Sequence, residues 1–483
     1  MSMTTDSGRR WAALALIVTA QFMVILDVAV VNVALPSIKT DLNFSTESLQ
    51  WVVSAYAIFF GGALLLGGRL ADLLGRRRLF VGGLVLFAAS SLLCGIAWSE
   101  ASLIGFRALQ GLGGALLAPA ALSLLMTTFA EGRERNLALG IYGAASGSGA
   151  AAGVLLGGVL TSYLSWSWIF FVNVPVGIAA ALLAPVLLDE SRPELGHRHL
   201  DARGAVTATA GLMLLVYALS RATTDGWTSP TALLPLAGSV SLLSAFVALE
   251  ARSLLPLRLF RGPSLAAANA TMAIIGAVAF SEFFLLSLYL QDILGYSAMQ
   301  GGVAFVAFAG TVVVVSNLAQ LIVTRFGARA TLTVGLLTSA LSVALLIRLP
   351  VDGQYFWDLF PAFVLGGAGM GLSFVPVTIL GLAGVGRADA GVASGLINTS
   401  RQIGGAIGIA ASSAIAAAAT NRYSDAPVAS LAALDRGYQT ALAVLTGLLL
   451  LGAAVAALFV RTANVADEQT SALPEPTLLD EAA

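Results

Sequence analysis

The sequence predicts an all-α integral membrane protein with 14 transmembrane helices (14 TM), built as two six-helix repeats plus an inserted helix pair. Three observations carry this reading. Of the 483 residues 58% are hydrophobic and only 11% charged, with a mean hydropathy of +0.89, far too little charge to cover a soluble surface. Fourteen apolar runs of roughly 20 residues follow one another along the chain, about the length a helix needs to cross a bilayer. Basic residues also alternate between the two sets of connections, as the positive-inside rule requires.

The runs lie near 11–35, 49–68, 79–98, 102–128, 137–161, 167–188, 203–220, 232–250, 264–291, 300–324, 331–349, 358–384, 393–420 and 437–460. Helix is the expected conformation because every backbone polar group must be satisfied within the segment in lipid. With the N-terminus in the cytosol, eighteen of the 25 Lys and Arg residues fall on the cytosolic side. The same count puts both termini there. All seven tryptophans (Trp11, Trp51, Trp98, Trp166, Trp168, Trp227 and Trp357) fall at predicted helix ends, where an amphipathic ring prefers the interface. The first run carries Asp27, is longer than a cleavable apolar core, and is expected to be a retained helix. The organisation follows: a cytosolic N-terminus (1–10), a first six-helix bundle (11–188), a loop, inserted pair and linker (189–263), a second six-helix bundle (264–460), and a short acidic tail (461–483) expected to be disordered.

Composition excludes several functions. A net charge of −1 gives no footprint for nucleic acid. Cys94 is the single cysteine, which rules out an internal disulfide and a cysteine-rich metal site. Lys39 is the single lysine and lies on the outer side, so no phosphate-binding P-loop can drive transport from this chain. His197 and His199 lack a third ligand and read as a solvated loop. The Gly-rich run 143–158 lies inside a predicted helix with no preceding strand, so it serves helix packing rather than phosphate binding. No hydrolase or metalloprotease motif occurs, and an enzyme is not expected.

The chain also repeats itself. Asp72-Leu-Leu-Gly75-Arg-Arg77 aligns with Thr324-Arg-Phe-Gly327-Ala-Arg329, and Gln110-Gly-Leu-Gly-Gly114 with Gly366-Gly-Ala-Gly-Met370. Helices one to six therefore correspond to nine to fourteen, the internal repeat of a secondary transporter.

On these residues the chain resembles the major facilitator superfamily, and within it the fourteen-helix drug:proton antiporter family of multidrug efflux type. Gly68-x-x-x-Asp72-x-x-Gly75-Arg76-Arg77 matches the loop between that superfamily's second and third helices. Leu26-Asp-Val-Ala-Val-Val-Asn-Val-Ala-Leu-Pro36 matches its first-helix motif, and Arg107-Ala-Leu-Gln-Gly111 its fourth-helix motif. Trp168-Ile-Phe-Phe-Val-Asn-Val-Pro-Val-Gly177 and Arg401-Gln-Ile-Gly-Gly405 look like further signatures of the same branch. Two positions depart: Leu73 replaces an arginine of the loop, and Val154 replaces the proline of the fifth-helix antiporter motif, here Gly153-Val154-Leu-Leu-Gly157-Gly158.

Charges inside the membrane are the candidate chemistry, since each costs about 3 kcal/mol or more at a helix centre. Asp27 precedes Pro36 by nine residues and Glu282 precedes Asp292 by ten, so both sit roughly 13–15 Å from their outer helix ends at 1.5 Å per residue. The resemblance implies that their helices line the central cavity, one from each half. A carboxylate there can load a proton from one side and release it on the other. The plainer alternative is that either acid is only a packing partner. Arg107, about 8 Å below the outer surface, either holds Asp27 ionised or snorkels to the interface. Arg401 falls near the cytosolic end of its helix, within reach of a headgroup.

The resulting expectation is a proton-coupled exporter of hydrophobic, amphipathic or cationic drugs and antibiotics, working by alternating access. It needs no cofactor beyond the proton gradient, has membrane lipid around it in the cytoplasmic membrane, and acts as a monomer. The alternative is a proton-coupled importer or exporter of a specific metabolite on the same fold. The loop with Gly68, Asp72, Gly75, Arg76 and Arg77 reads as a conformational latch, Gly68 and Gly75 allowing close approach and a tight turn.

Overall fold

The computed structural model describes residues 3–129, 133–190, 202–226, 228–253, 263–382, 390–423 and 430–459. His197, His199, Trp227 and the 461–483 tail lie outside the described residues, as do the side chains of Arg69, Asp72 and Leu73. The described residues form fourteen long helices. These are α1 (Met3–Asp41), α2 (Trp51–Leu74), α3 (Arg76–Gly95), α4 (Glu100–Thr128), α5 (Arg133–Tyr163), α6 (Asn173–Leu187), α7 (Ala202–Asp225) and α8 (Pro230–Ser253), then α9 (Pro263–Leu288), α10 (Val306–Phe326), α11 (Ala328–Leu346), α12 (Phe360–Leu382), α13 (Ala390–Tyr423) and α14 (Leu431–Phe459). Serines begin several of them. Ser99 and Ser102 close a capping box at α4, and Ser297 with Gln300 does the same for the short helix Ala298–Ala304 leading into α10.

Among the described residues eleven helices are long and apolar enough to cross a membrane. The second, fifth and seventh expected spans hold shorter apolar stretches, Trp51–Leu64, Ala152–Tyr163 and Ala210–Leu219.

Packing follows the sequence repeat. In the first half α1 packs on α5, α4 on both α2 and α3, and α3 on α6; in the second α9 packs on α13, α12 on both α10 and α11, and α11 on α14. Glycines set the matching seams. A Cβ at Gly153 or Gly157 would come within 2.7 or 2.9 Å of the Leu26 or Val30 carbonyl oxygen on α1. Gly404 and Gly408 abut the backbones of Ala273 and Ala277 on α9 in the same way. Small residues at such seams let helix backbones touch. With Val154 in place of the proline, α5 runs unbroken from Arg133 to Tyr163.

The two repeat junctions share a backbone conformation as well. Gly75 between α2 and α3 has φ 102°, ψ 134°, and Gly327 between α10 and α11 has φ 82°, ψ 152°, a region open essentially to glycine alone.

The halves meet along α2–α13 and along α5 with the helices leading into α10. Gly158 and Gly302 make the second contact close: a Cβ at Gly158 would lie 2.8 Å from Met299 Cα, and one at Gly302 2.7 Å from the Val154 oxygen. α7 leans on α2 and α13. α8 packs on α7, and only 11% of its apolar window is buried, which leaves most of it to face lipid.

At the face opposite the N-terminus the halves are tied together directly. Ser287 Oγ donates to the Asn32 carbonyl at 2.5 Å and Gln291 Nε2 to that of Val33 at 2.9 Å. Lys39 Nζ lies 3.3 Å from Asp292 Oδ2, and the Met299 amide donates to Ser162 Oγ at 2.9 Å. The protein is closed at this far face. Tryptophans follow the interfacial expectation in part. Trp98, Trp168 and Trp357 are exposed at helix ends, but Trp166 is buried and donates its indole N–H to Asp41 Oδ2 at 2.7 Å.

Candidate functional site

The polar interior of the first half is built around one carboxylate. Asp27 on α1 is fully buried. Its Oδ2 lies 2.7 Å from Arg107 Nη1, and its Oδ1 accepts from Gln110 Nε2 and Asn173 Nδ2, each at 2.8 Å. Arg107 and Gln110 come from α4 at i, i+3 spacing and so share a helix face. Arg107 is itself 1% exposed. Its Nε donates to the Val52 carbonyl at 3.0 Å and its Nη1 to Gln110 Oε1 at 2.6 Å. Its guanidinium also sits 4.3 Å from the centre of the Tyr56 ring. Ser91 on α3 completes the network: its hydroxyl accepts from both Gln110 and Asn173 at 3.1 Å and donates to the Phe170 carbonyl at 2.9 Å.

Of the two readings of Arg107, the pairing with Asp27 is the one found, and the guanidinium does not snorkel. One expectation is corrected. Asp27 is not presented to the opposite half, since all its hydrogen-bonding partners belong to the first six helices. A carboxyl group and a guanidinium can lie this deep because each has hydrogen bonds beyond the pair itself. Sequence reading missed Gln110, Asn173 and Ser91 as members. The available signal was a buried-type polar residue inside two of the quoted motifs, Gln110 three residues after Arg107 and Asn173 five after Trp168.

Glu282 on α9 is the counterpart in the second half, and its surroundings differ. It is 7% exposed, and its Oε1 has no hydrogen-bond partner among the described residues. It precedes Ser287 by five residues, as Asp27 precedes Asn32. The Ser287–Asn32 bond thus puts both acids one and a half turns below the far-face seal, at a common depth. A second buried acid of this half precedes the apolar run expected at 437–460 by two residues. Asp435 is inside α14, accepts from Gln439 Nε2 at 2.8 Å, and leaves its Oδ1 unpartnered.

Arg401 on α13 is eleven residues past Ala390 rather than at a helix end. It lies 5.4 Å over the Phe374 ring of α12 and donates to Asn398 Oδ1 at 3.0 Å. No headgroup contact is needed to explain its position.

The Gly75 loop is fastened to α6 and the residues after it. The Arg77 amide donates to Glu190 Oε1 at 3.2 Å, and its guanidinium reaches the Pro185 and Leu188 carbonyls at 3.3 and 3.2 Å. Arg77 and Arg78 lie 3.6 and 3.7 Å from Glu190 Oε2. Glu190 was not anticipated. The φ of 102° makes the tight turn require glycine, and a Cβ at Gly75 would fall 2.5 Å from Glu190 Oε1, the far end of a flexible side chain. Gly68 does not provide close approach: a Cβ there meets only Pro119 at 3.8 Å, whereas Gly67 abuts the Ala115 backbone.

Comparison with known proteins adds to this geometry. The family model described as Major Facilitator Superfamily matches residues 17–409. The cephamycin export protein of Amycolatopsis lactamdurans is 44% identical over 84% of this chain and 85% of its own length. The puromycin resistance protein of Streptomyces alboniger is 40% identical over 97% and 95%. Among solved structures, a POT-family transporter aligns with TM-score 0.69 at 15% identity over 93% of this chain and 97% of that one. A bacterial homologue of the human lysosomal transporter Spinster aligns with TM-score 0.68 at 17% identity over 94% and 96%. The structural matches bear on the fold alone.

Proposed function

We propose, from the premise that this chain belongs to the Major Facilitator Superfamily, that it is a multi-pass membrane exporter of small amphipathic antibiotic-like molecules, driven by protons moving the opposite way. One relative is named an export protein and another a resistance protein, which supports the outward direction. The distribution of basic residues supports a cytosolic position for the face carrying the N-terminus, and with it a cytoplasmic-membrane location.

The single observation that carries the coupling is the contrast between the two buried acids. Asp27 is held by a guanidinium and two amide donors, so its charge is already compensated. Glu282 has no compensating charge among the described residues, and an unpaired carboxylate in a low-dielectric site is accommodated far more cheaply with its proton on. Glu282 therefore carries the proton, while the Asp27–Arg107 pair fastens α1 to α4 within the first half. Opening of the far face lets Glu282 load a proton from outside as substrate leaves. Closing that seal and opening the cytosolic side releases the proton into a more alkaline compartment, and substrate reloads. The far-face ties between α1 and α9 are the contacts that this cycle has to make and break.

The test uses everted membrane vesicles acidified inside, with puromycin and a cephamycin as probes. Uphill accumulation that collapses with a protonophore is expected. Glu282→Gln should abolish accumulation against a gradient while energy-independent exchange of labelled probe survives. Uphill transport by Glu282→Gln with unchanged dependence on the imposed pH difference overturns the assignment.

A further inference from the structure

Arg401 is a cation without an acid. Arg107, the other arginine deep in the helices, is matched by Asp27, but no carboxylate pairs with Arg401 among the described residues; its one side-chain partner is the amide oxygen of Asn398, and its Nε is unpartnered. At about 16 Å into α13, a guanidinium lacking a counter-charge is costly to hold and has no role in packing that an apolar side chain would not fill better.

Its position is the boundary between the halves. Thr399 Oγ1, two residues earlier, donates to the Gly61 carbonyl of α2 at 3.3 Å, and Gly61 has no room for a Cβ because Gln402 Cβ would lie 2.8 Å away. Tyr56, five residues before Gly61 on α2, is within electrostatic reach of Arg401, is buried, and has its hydroxyl unpartnered among the described residues. Gln402 Oε1 is unpartnered too. Phe374 supplies a flat apolar wall beneath the guanidinium. Two buried donors with unfilled capacity, Arg401 Nε and the Tyr56 hydroxyl, one from each half, make a receptor for a planar anion.

We propose that Arg401 and Tyr56 form an anion subsite that binds a carboxylate, or a similarly deprotonated acid group, of the transported molecule. This rests on the export reading above and sharpens its substrate class. It also reverses the charge preference expected from sequence, because Asp27, the acid that was to attract a cation, is already neutralised inside the first half. A substrate anion bridging α2 and α13 ties the halves together only while it is bound, so occupancy itself is communicated to the switch.

The experiment measures binding of benzylpenicillin and of its methyl ester to purified protein in nanodiscs, with no proton gradient. The expected result is binding of the free acid at least about tenfold tighter than the ester, the range of a charge-assisted hydrogen bond. Arg401→Gln should make the two equal, Arg401→Lys should keep part of the difference, and Tyr56→Phe should reduce it several-fold; the last two serve if Arg401→Gln does not fold. Equal affinities in the wild type, preference for the ester, no binding of either compound, or undiminished discrimination in both Arg401→Gln and Tyr56→Phe each overturns the subsite. Proton-driven uptake of puromycin in vesicles, measured separately, reports on the export reading, so failure of one is distinguishable from failure of the other.

Discussion

The two halves of this protein share a packing plan and differ in what that plan encloses. α1 lies on α5 through Gly153 and Gly157, and α9 lies on α13 through Gly404 and Gly408. Inside the first half sits a closed network in which Asp27, Arg107, Gln110, Asn173 and Ser91 satisfy one another. Inside the second half the ionisable groups are left incomplete: Glu282 and Asp435 each have an unpartnered oxygen, and Arg401 has an unpartnered nitrogen. Duplicated scaffolds can therefore divide the work. In this structure one half compensates its buried charges internally, while the other leaves hydrogen-bonding capacity unfilled.

The largest effect expected from that contrast is on stability. Asp27→Asn leaves Arg107 buried with its charge uncompensated, a loss of about 3–5 kcal/mol for one broken member of a buried pair. Glu282→Gln exchanges a protonated acid that has no charged partner among the described residues for a neutral amide of the same shape, and should stay within about 0.5 kcal/mol of wild type. Thermal melts of purified protein would show a drop for the first and none for the second. In a double-mutant cycle Asp27→Asn with Arg107→Gln should be less destabilised than the sum of the singles, by up to about 3 kcal/mol. Equal destabilisation by Asp27→Asn and Glu282→Gln would erase the distinction between the halves.

A middle-sized effect tests the repeat junctions. Gly75→Ala and Gly327→Ala both force a side chain into backbone conformations that cost about 1–3 kcal/mol. The added Cβ meets Glu190 in the first half and nothing within 4 Å in the second. Gly75→Ala should therefore be the more damaging, and Gly75→Ala combined with Glu190→Gly should approach Gly327→Ala. Melting temperatures of the three proteins check this. A larger drop for Gly327→Ala would show that Glu190 is not what fastens the first junction.

How much of this was legible beforehand follows from what sequence patterns encode. Apolar run length gave the helices, because lipid leaves the backbone few alternatives, and the repeat was visible in Gly75 and Gly327 because only glycine adopts that backbone. The two membrane acids stood out as residues. Their opposite environments did not, since a run of apolar residues does not say which way a helix is rotated. Asp27 turned towards α4 and α6 rather than the other half for that reason, and Asp435 drew no attention because its helix begins six residues before the apolar run expected at 437. Glu190 was missed because its contact with Arg77 spans 113 residues of chain, and Gln110 and Asn173 because amides carry no charge to draw attention.

The smallest effect concerns the seal between the halves. Lys39 and Asp292 join the ends of α1 and α9 at 3.3 Å, and both side chains are about one-quarter exposed (27% and 26%). A pair of that kind contributes roughly 0.2–1 kcal/mol. Two hydrogen bonds to backbone, from Ser287 and Gln291, remain when it is removed. Lys39→Ala should then shift the balance towards the far-face-open form by no more than about fivefold, without altering the melting temperature measurably. Spin labels at Asn43 and Asp352, one on each half at that face, would report the shift as a growing long-distance population. Ser287→Ala should move it further than Lys39→Ala, because its bond at 2.5 Å is buried and screened less by salt. If Lys39→Ala opens the face more than Ser287→Ala does, the seal is electrostatic, and high salt should then open the wild type as well.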